Sequence, residues 1–299
     1  MGLDFYFEYI MRVLYFYLFL FFSSISMVSQ GEERIDCDID IFKRYLDNAV
    51  SGDYHSQFVV GEYYTQGCAV DKDLIEANVW YLLSANQGNP YSANQLGIYY
   101  DVYAESDDDF NKSVNWYKKA VELGFNGALV NLGLLYFVEG KNKDYLKSYE
   151  YFLKASKSNE FESMYHLGLA HKMGFGVELD LNKSLYWFKR SAAIGNPHGM
   201  RELGLIYQKG GIVPRDYQLA EQLFLQGRNL NDLNSIHSLA TFYFAVEGEL
   251  SSVEKGVFYM REAAFLGHRL AQHKMGIFFD KGIGVMKDIK LSKLFKMHE

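Results

Sequence analysis

Ten side chains in this 299-residue chain belong to types that bind metals or act as nucleophiles: eight histidines and two cysteines. The histidines are His55, His166, His171, His198, His237, His268, His273 and His298. None stands in a His-Glu-x-x-His pattern, where two rings share one helix face and a glutamate acts as base. The close pairs, 166/171 and 268/273, are five residues apart and so diverge around a helix. His237 and His273 occupy equivalent positions of a recurring pattern described below, and His171 falls where that pattern places an aromatic core residue. Gly174-Phe175-Gly176 and Gly282-Ile283-Gly284 resemble phosphate-cradling loops, but each follows a helical pattern and lacks the Gly-Lys-Ser/Thr sequel. No Gly-x-Ser-x-Gly elbow is present. These residues therefore predict no catalytic site, no metal site and no cofactor.

The elements that carry them repeat. Gly61, Gly97, Gly133, Gly168, Gly204, Ala240 and Gly276 are spaced 35 or 36 residues apart and serve as position zero of seven units. Nine residues earlier stand Gly52, Gly88, Gly124, Asn159, Gly195, Asn231 and Gly267, the residue types that enter the left-handed region cheaply and stop a helix. Five residues before zero the residue is always small: Ser56, Ser92, Ala128, Ser163, Gly199, Ser235 or Ala271. Three after it the ring residues Tyr64, Tyr100, Tyr136, His171, Tyr207, Tyr243 and Phe279 suit a plug between helices. Asp73, Asp109, Asp144, Asp180, Asp216, Ser252 and Asp288 follow, eleven or twelve residues after zero, and read as N-caps of a second helix. A further small site and a bulky one (Trp80, Trp116, Tyr151, Trp187, Leu223, Tyr259, Phe295) complete each unit. Each unit is thus helix A, a turn, helix B and a stop. One such hairpin cannot bury both faces, so neighbours must stack into a solenoid.

Leu167 to Val177, followed by Asp180, Ser184, Trp187-Phe188, Ala192-Ala193 and Gly195, resembles the Sel1-like repeat family, relatives of the tetratricopeptide repeats. Met275 to Val285 with Asp288 carries the same resemblance. It implies an all-α, right-handed α/α superhelix of about seven helix-turn-helix repeats. The expected boundaries are 53–88, 89–124, 125–159, 160–195, 196–231, 232–267 and a truncated 268–299, after an N-terminal segment with a capping helix in 27–52. Repeat 2 departs by carrying Tyr103 where the turn glycine belongs, and repeats 3 and 6 lack the Gly-x-Gly-Val turn. The family resemblance implies protein-binding adaptor work in envelope, secretion or host-contact processes. Some exported members act as immunity proteins against toxic enzymes such as phospholipases.

Residues 1–26 read as a secretory signal: Arg12, the apolar run Val13 to Phe22, then Ser23, Ser24, Ile25 and Ser26. Met11 offers an alternative start, which would remove Asp4 and Glu8 from the leader. The run is too short to span a bilayer, so a periplasmic or secreted chain without stable membrane insertion is expected. In such a compartment Cys37, before the capping helix, and Cys68, in the first A–B turn, are expected to pair.

The net charge of −7 conceals a gradient. Residues 31–110 carry 4 Lys/Arg against 16 Asp/Glu, whereas 268–299 carry 7 against 3. An acidic beginning suits a basic protein partner or toxin, and the absence of a basic, aromatic-interleaved patch argues against nucleic acid. On helix A, positions −3, +1 and +4 turn away from the packing face and vary between repeats. Phe58, Glu62, Asn94, Ile98, Asp101, Val130, Leu134, Phe137, Tyr165, Leu169, Arg201 and His237 are therefore the expected partner-binding residues, with an exposed apolar patch around repeat 3 and Tyr165. The leading expectation is a monomeric, non-catalytic, exported scaffold. The alternatives are a periplasmic immunity protein and a cell-envelope hydrolase or peptidoglycan-binding protein.

Overall fold

The computed structural model describes residues 35–103, 106–138, 143–246 and 250–296. The expected leader lies outside them. The described residues form α-helices joined by short turns, with no strand among them. The chain divides into two compact units at Ser158/Asn159.

The first unit opens with α1 (Ile39–Val50), capped by Asp38, whose carboxylate accepts from the Asp40 and Ile41 amides. Three A/B pairs follow: α2 (Tyr54–Gln66) with α3 (Leu74–Asn86), α4 (Pro90–Val102) with α5 (Asp107–Glu122), and α6 (Ala128–Phe137) with α7 (Tyr145–Ala155). The second unit contains four pairs: α8 (Phe161–Met173) with α9 (Leu181–Ala193), α10 (Pro197–Lys209) with α11 (Tyr217–Asn229), α12 (Leu233–Ala245) with α13 (Val253–Phe265), and α14 (Arg269–Lys281) with α15 (Ile289–Lys296).

The stops are where the spacing puts them. All seven residues at −9 have positive φ, from 58° at Asn159 to 103° at Gly124. Within the units, the amide of the following residue donates back across the turn, as from Asn89 to Ser84 and from Asn196 to Ser191, closing the helix end. That following side chain then caps the next helix A: Asp53, Asn89, Asn196 and Asp232 each accept an amide two or three residues on.

The A–B turn is closed by a bond that joins two of the repeating positions. The amide of the helix B cap donates to the carbonyl of the ring residue at +3, at 2.8–3.2 Å in six repeats, from Asp73 to Tyr64 through Asp288 to Phe279. Asp73, Asp144, Asp180, Asp216, Ser252 and Asp288 cap helix B as expected. Asp109 does not. In repeat 2 the cap is Ser106, and Asp109 lies in the first turn of α5, where its amide donates to the Ser106 hydroxyl. Repeat 2 is also a repeat without a turn glycine, and α4 ends at Tyr103 with φ −102°. By contrast α2, α8 and α14 end at Gly67, Gly174 and Gly282 in the left-handed region.

Position zero explains the core. A Cβ added to Gly61, Gly97, Gly133, Gly168 or Gly204 would lie 2.5–2.7 Å from the ring of Tyr81, Tyr117, Phe152, Phe188 or Phe224, twenty or nineteen residues later. Each ring lies on the bare backbone of its own helix A and is buried, Phe188 and Phe224 completely. Burying such a ring contributes about 2–3 kcal/mol. Repeat 6 replaces both partners at once: Ala240 packs in one cluster with Met260, a narrower side chain that leaves room for a methyl. The small residues at −5 are all buried, and Ser92 meets the preceding helix B, where its hydroxyl donates to Ser84 at 2.8 Å.

Candidate partner-binding surface

With positions −5, zero and +3 consumed by packing, the wall at −3, +1 and +4 is what the framework leaves for recognition. In the first unit it is a polar ladder let into an apolar surface. Phe58, Glu62, Asn94 and Val130 are buried, and Ile98, Asp101, Leu134 and Phe137 are half-buried. None of these eight is fully exposed, so the exposed apolar patch expected in repeat 3 is not found within this unit. Helix packing and cross-repeat contacts cover it, and Phe137 lies against Tyr145 at 5.5 Å.

Glu62 is the centre of that ladder. Its Oε1 accepts from the Tyr81 hydroxyl at 2.6 Å and from Gln95 Nε2 at 2.7 Å, and Gln66 Nε2 reaches Oε2 at 3.3 Å. These donors are neutral, and burial pushes the carboxyl pKa upward against their pull. One repeat on, Asn131 donates to Asn94 at 2.8 Å, linking helices A of adjacent repeats. Neither Gln95 nor Asn131 was among the expected wall residues; both sit at −2, beside the chosen column, and their long amide side chains reach across it.

In the second unit Tyr165, Leu169, Arg201 and His237 are all half-buried. Tyr165 is packed by Phe188 at 6.1 Å and by His198 at 5.4 Å. Arg201 and Lys172 bracket the buried carboxylate of Glu202, at 2.9 and 2.7 Å. His237 stacks on His268 with ring centres 4.5 Å apart, and burial, with its cationic neighbours, holds it down to about 4. His171 is buried at the ring position, as its place in the repeat predicts.

Cys37 and Cys68 form a disulfide with Cα atoms 4.9 Å apart. The bond ties the segment ahead of α1 to the first A–B turn, and the Tyr63 hydroxyl donates to the Asp36 carbonyl beside it at 2.8 Å.

Among the described residues no group of three or more His, Cys, Asp or Glu is disposed to hold a metal ion. No helix among them is long and apolar enough to cross a membrane. The Sel1 repeat pattern matches residues 55–89, 90–125, 127–160, 161–196, 197–232 and 269–293. The chain belongs to the Sel1 repeat family. The segment between the last two matches holds α12 and α13, the hairpin in which Ala240 and Met260 replace the usual glycine and ring.

Solved relatives agree with the fold. A protective antigen of uropathogenic Escherichia coli with a Sel1-like repeat fold is 27% identical, with a TM-score of 0.64 over 86% of this chain and 55% of that one. A Sel1 repeat protein from Oxalobacter formigenes is 24% identical, with a TM-score of 0.65 over 89% of this chain and 77% of that one. An immunity protein from Pseudomonas aeruginosa is 22% identical, with a TM-score of 0.51 over 67% of this chain and 79% of that one. Among curated sequences, the rat DAP3-binding cell death enhancer 1 is 28% identical over 71 residues, 24% of this chain and 14% of that protein. The chain thus spans about half of the E. coli antigen and a small part of the rat protein.

Proposed function

We propose that this chain is an exported, non-catalytic scaffold that holds a protein partner on the −3, +1 and +4 wall of its A helices. One observation carries the reading. Framework positions are filled by like residues in most repeats, while the wall passes from Phe58 and Glu62 to Asn94 and Ile98, Val130 and Leu134, Tyr165 and Leu169, then Arg201 and His237.

 A binding solenoid needs this division, because a uniform frame fixes the geometry while a varied wall sets the choice of partner. The disulfide supports an oxidising compartment and so an exported protein. Ile98, Leu134, Phe137, Tyr165 and Leu169 are half-buried and leave apolar surface on the wall, which suits a protein surface better than a small ligand.

A second reading is a periplasmic immunity protein that occludes a secreted toxic enzyme such as a phospholipase. The acid excess of residues 31–110 favours it, since a basic toxin would be drawn to that face. The likeness to the Pseudomonas immunity protein is one of fold and adds no partner. Both readings are tested by affinity capture from an envelope extract with the oxidised chain. The expected result is a specific protein partner that is lost with Ile98→Asp or Leu169→Asp and kept with Val79→Asp, a change at an exposed position of α3. Recovery of cell-wall material with no protein would overturn both readings. Salt separates them further, because a basic toxin held by the acidic end loses affinity as ionic strength rises.

A further inference from the structure

The last helix A is capped by a residue that can lose its grip. In four earlier repeats the side chain that follows the stop and caps helix A is Asp53, Asn89, Asn196 or Asp232; before α14 it is His268. The Ala271 amide donates to His268 Nδ1 at 3.2 Å. A ring nitrogen accepts only while it carries no proton, so this bond requires a neutral His268 with its hydrogen on Nε2. An Asn cap keeps its acceptor at every pH and an Asp cap keeps it down to the carboxylate range, whereas a His cap loses it on mild acidification. The same ring lies on His237 of α12, with centres 4.5 Å apart and planes 14° from parallel. Both residues are half-buried. Neutral imidazoles tolerate this stack, but two imidazolium rings so close repel each other with little water between them. The surrounding charges give little relief. Arg201 of α10 and Lys274 of α14 add positive charge at His237, and the acid that acts on His268 is Asp232. Asp232 is already engaged, since it caps α12 through the Ser235 amide at 2.7 Å and lies 3.6 Å from His198 Nδ1. From α13, Glu262 is held by Arg228 of α11 at 3.0 Å.

We propose that the His237–His268 stack, with the cap that His268 gives α14, is a pH-sensitive latch that fastens the last hairpin at neutral pH and frees it in acid. Protonation of His268 turns its acceptor into a donor facing the Ala271 amide, and protonation of both rings sets two cations face to face. The sign follows from burial, which holds both rings below the ordinary histidine value of 6.5, His237 at about 4. The latch is therefore complete above pH 6.5 and is lost as pH falls through the folded values, because the freed rings bind protons more tightly. His237 is also a −3 wall residue, so opening the latch alters the wall there. That consequence rests on the protein-binding reading above, whereas the latch itself does not.

The test is amide hydrogen exchange on the full oxidised chain at about pH 7.5 and about pH 5, with the intrinsic effect of pH divided out. Protection in α14 is expected to fall about fivefold or more at the lower pH, the effect of losing one helix cap, while α8 and α9 in the same unit keep theirs. His268→Asn, which installs the acceptor that Asn89 and Asn196 use, should leave α14 nearly equally protected at both pH values. His237→Phe keeps a ring in the stack but takes no proton, and should retain a smaller pH effect from the cap alone. In the native chain, ¹⁵N-labelled histidine should show His268 Nδ1 without a hydrogen at the higher pH. Equal protection of α14 at the two pH values, a hydrogen on His268 Nδ1 at the higher pH, or a pH effect that survives His268→Asn in full would overturn the latch. None of these outcomes involves a partner, so the scaffold reading stands or falls separately by affinity capture.

Discussion

A methyl group at position zero has nowhere to go. A Cβ on Gly168 would lie 2.5 Å from the Phe188 ring, which is fully buried and held on all sides. Gly168→Ala is therefore expected to cost about 1–3 kcal/mol in urea unfolding. Gly168→Ala with Phe188→Met, which reproduces the Ala240/Met260 pair of repeat 6, should recover much of it; strict additivity of the two changes would contradict the packing described. The sequence made position zero plain but not its counterpart. Trp80 and Tyr81, or Trp187 and Phe188, are adjacent rings, and a period alone does not say which one lies on the glycine. The paired replacement in repeat 6 is the signal that distinguishes them. Glu62 is the other residue with a definite consequence. Its folded pKa is raised above the unfolded value, so the cost of its buried charge is present above the folded pKa and is relieved as pH falls towards the ordinary glutamate value of 4.5. Glu62→Gln keeps an acceptor for Tyr81 and Gln95, and is expected to raise stability at pH 7 and flatten its pH dependence. A loss of stability at neutral pH would show that the charge itself is favourable there.

At the scale of the element, the helices are set by their ends more than by their interiors. Each helix B begins at a residue that caps with its side chain, and in six repeats that residue's amide also closes the turn. Asp216→Ala should cost about 1 kcal/mol, read from thermal unfolding, because it strips the acceptor from the Leu219 amide while the Tyr207 carbonyl keeps its donor. Nearly all of these ends were legible because Asp, Ser, Gly and Asn have few other uses at a fixed offset. Repeat 2 was the exception. Asp107, Asp108 and Asp109 all suit a first helical turn, and Ser106 ahead of them takes the cap, so α5 starts earlier than the period indicates. The wall was less legible than the frame. Helical spacing assigned residues to a face, but how far Phe58 or Val130 is buried depends on the neighbouring repeat's side chains, which no single-helix argument contains.

At the scale of the whole molecule, a repeat protein is weakest where a repeat lacks a neighbour, and the first unit meets that weakness with a covalent bond. Cys37 and Cys68 are 31 positions apart, and closing such a loop contributes about 3–4 kcal/mol in loop-entropy terms. Reduction is expected to speed amide exchange in α1 and at the start of α2 while leaving α12 to α14 unchanged. Uniform exchange across both units, or none, would contradict a local role for the bond. The pairing itself was legible, because one cysteine precedes the capping helix and the other lies in the first turn. The partner was not, because its identity lies in wall chemistry that belongs to this chain rather than to the repeat. The most direct test of the scaffold account is therefore affinity capture from an envelope extract, comparing the native chain with Ile98→Asp, Leu169→Asp and Val79→Asp. The account predicts one specific protein partner, lost with either wall substitution and retained with Val79→Asp; a partner retained by both wall variants, or no protein partner at all, would contradict it.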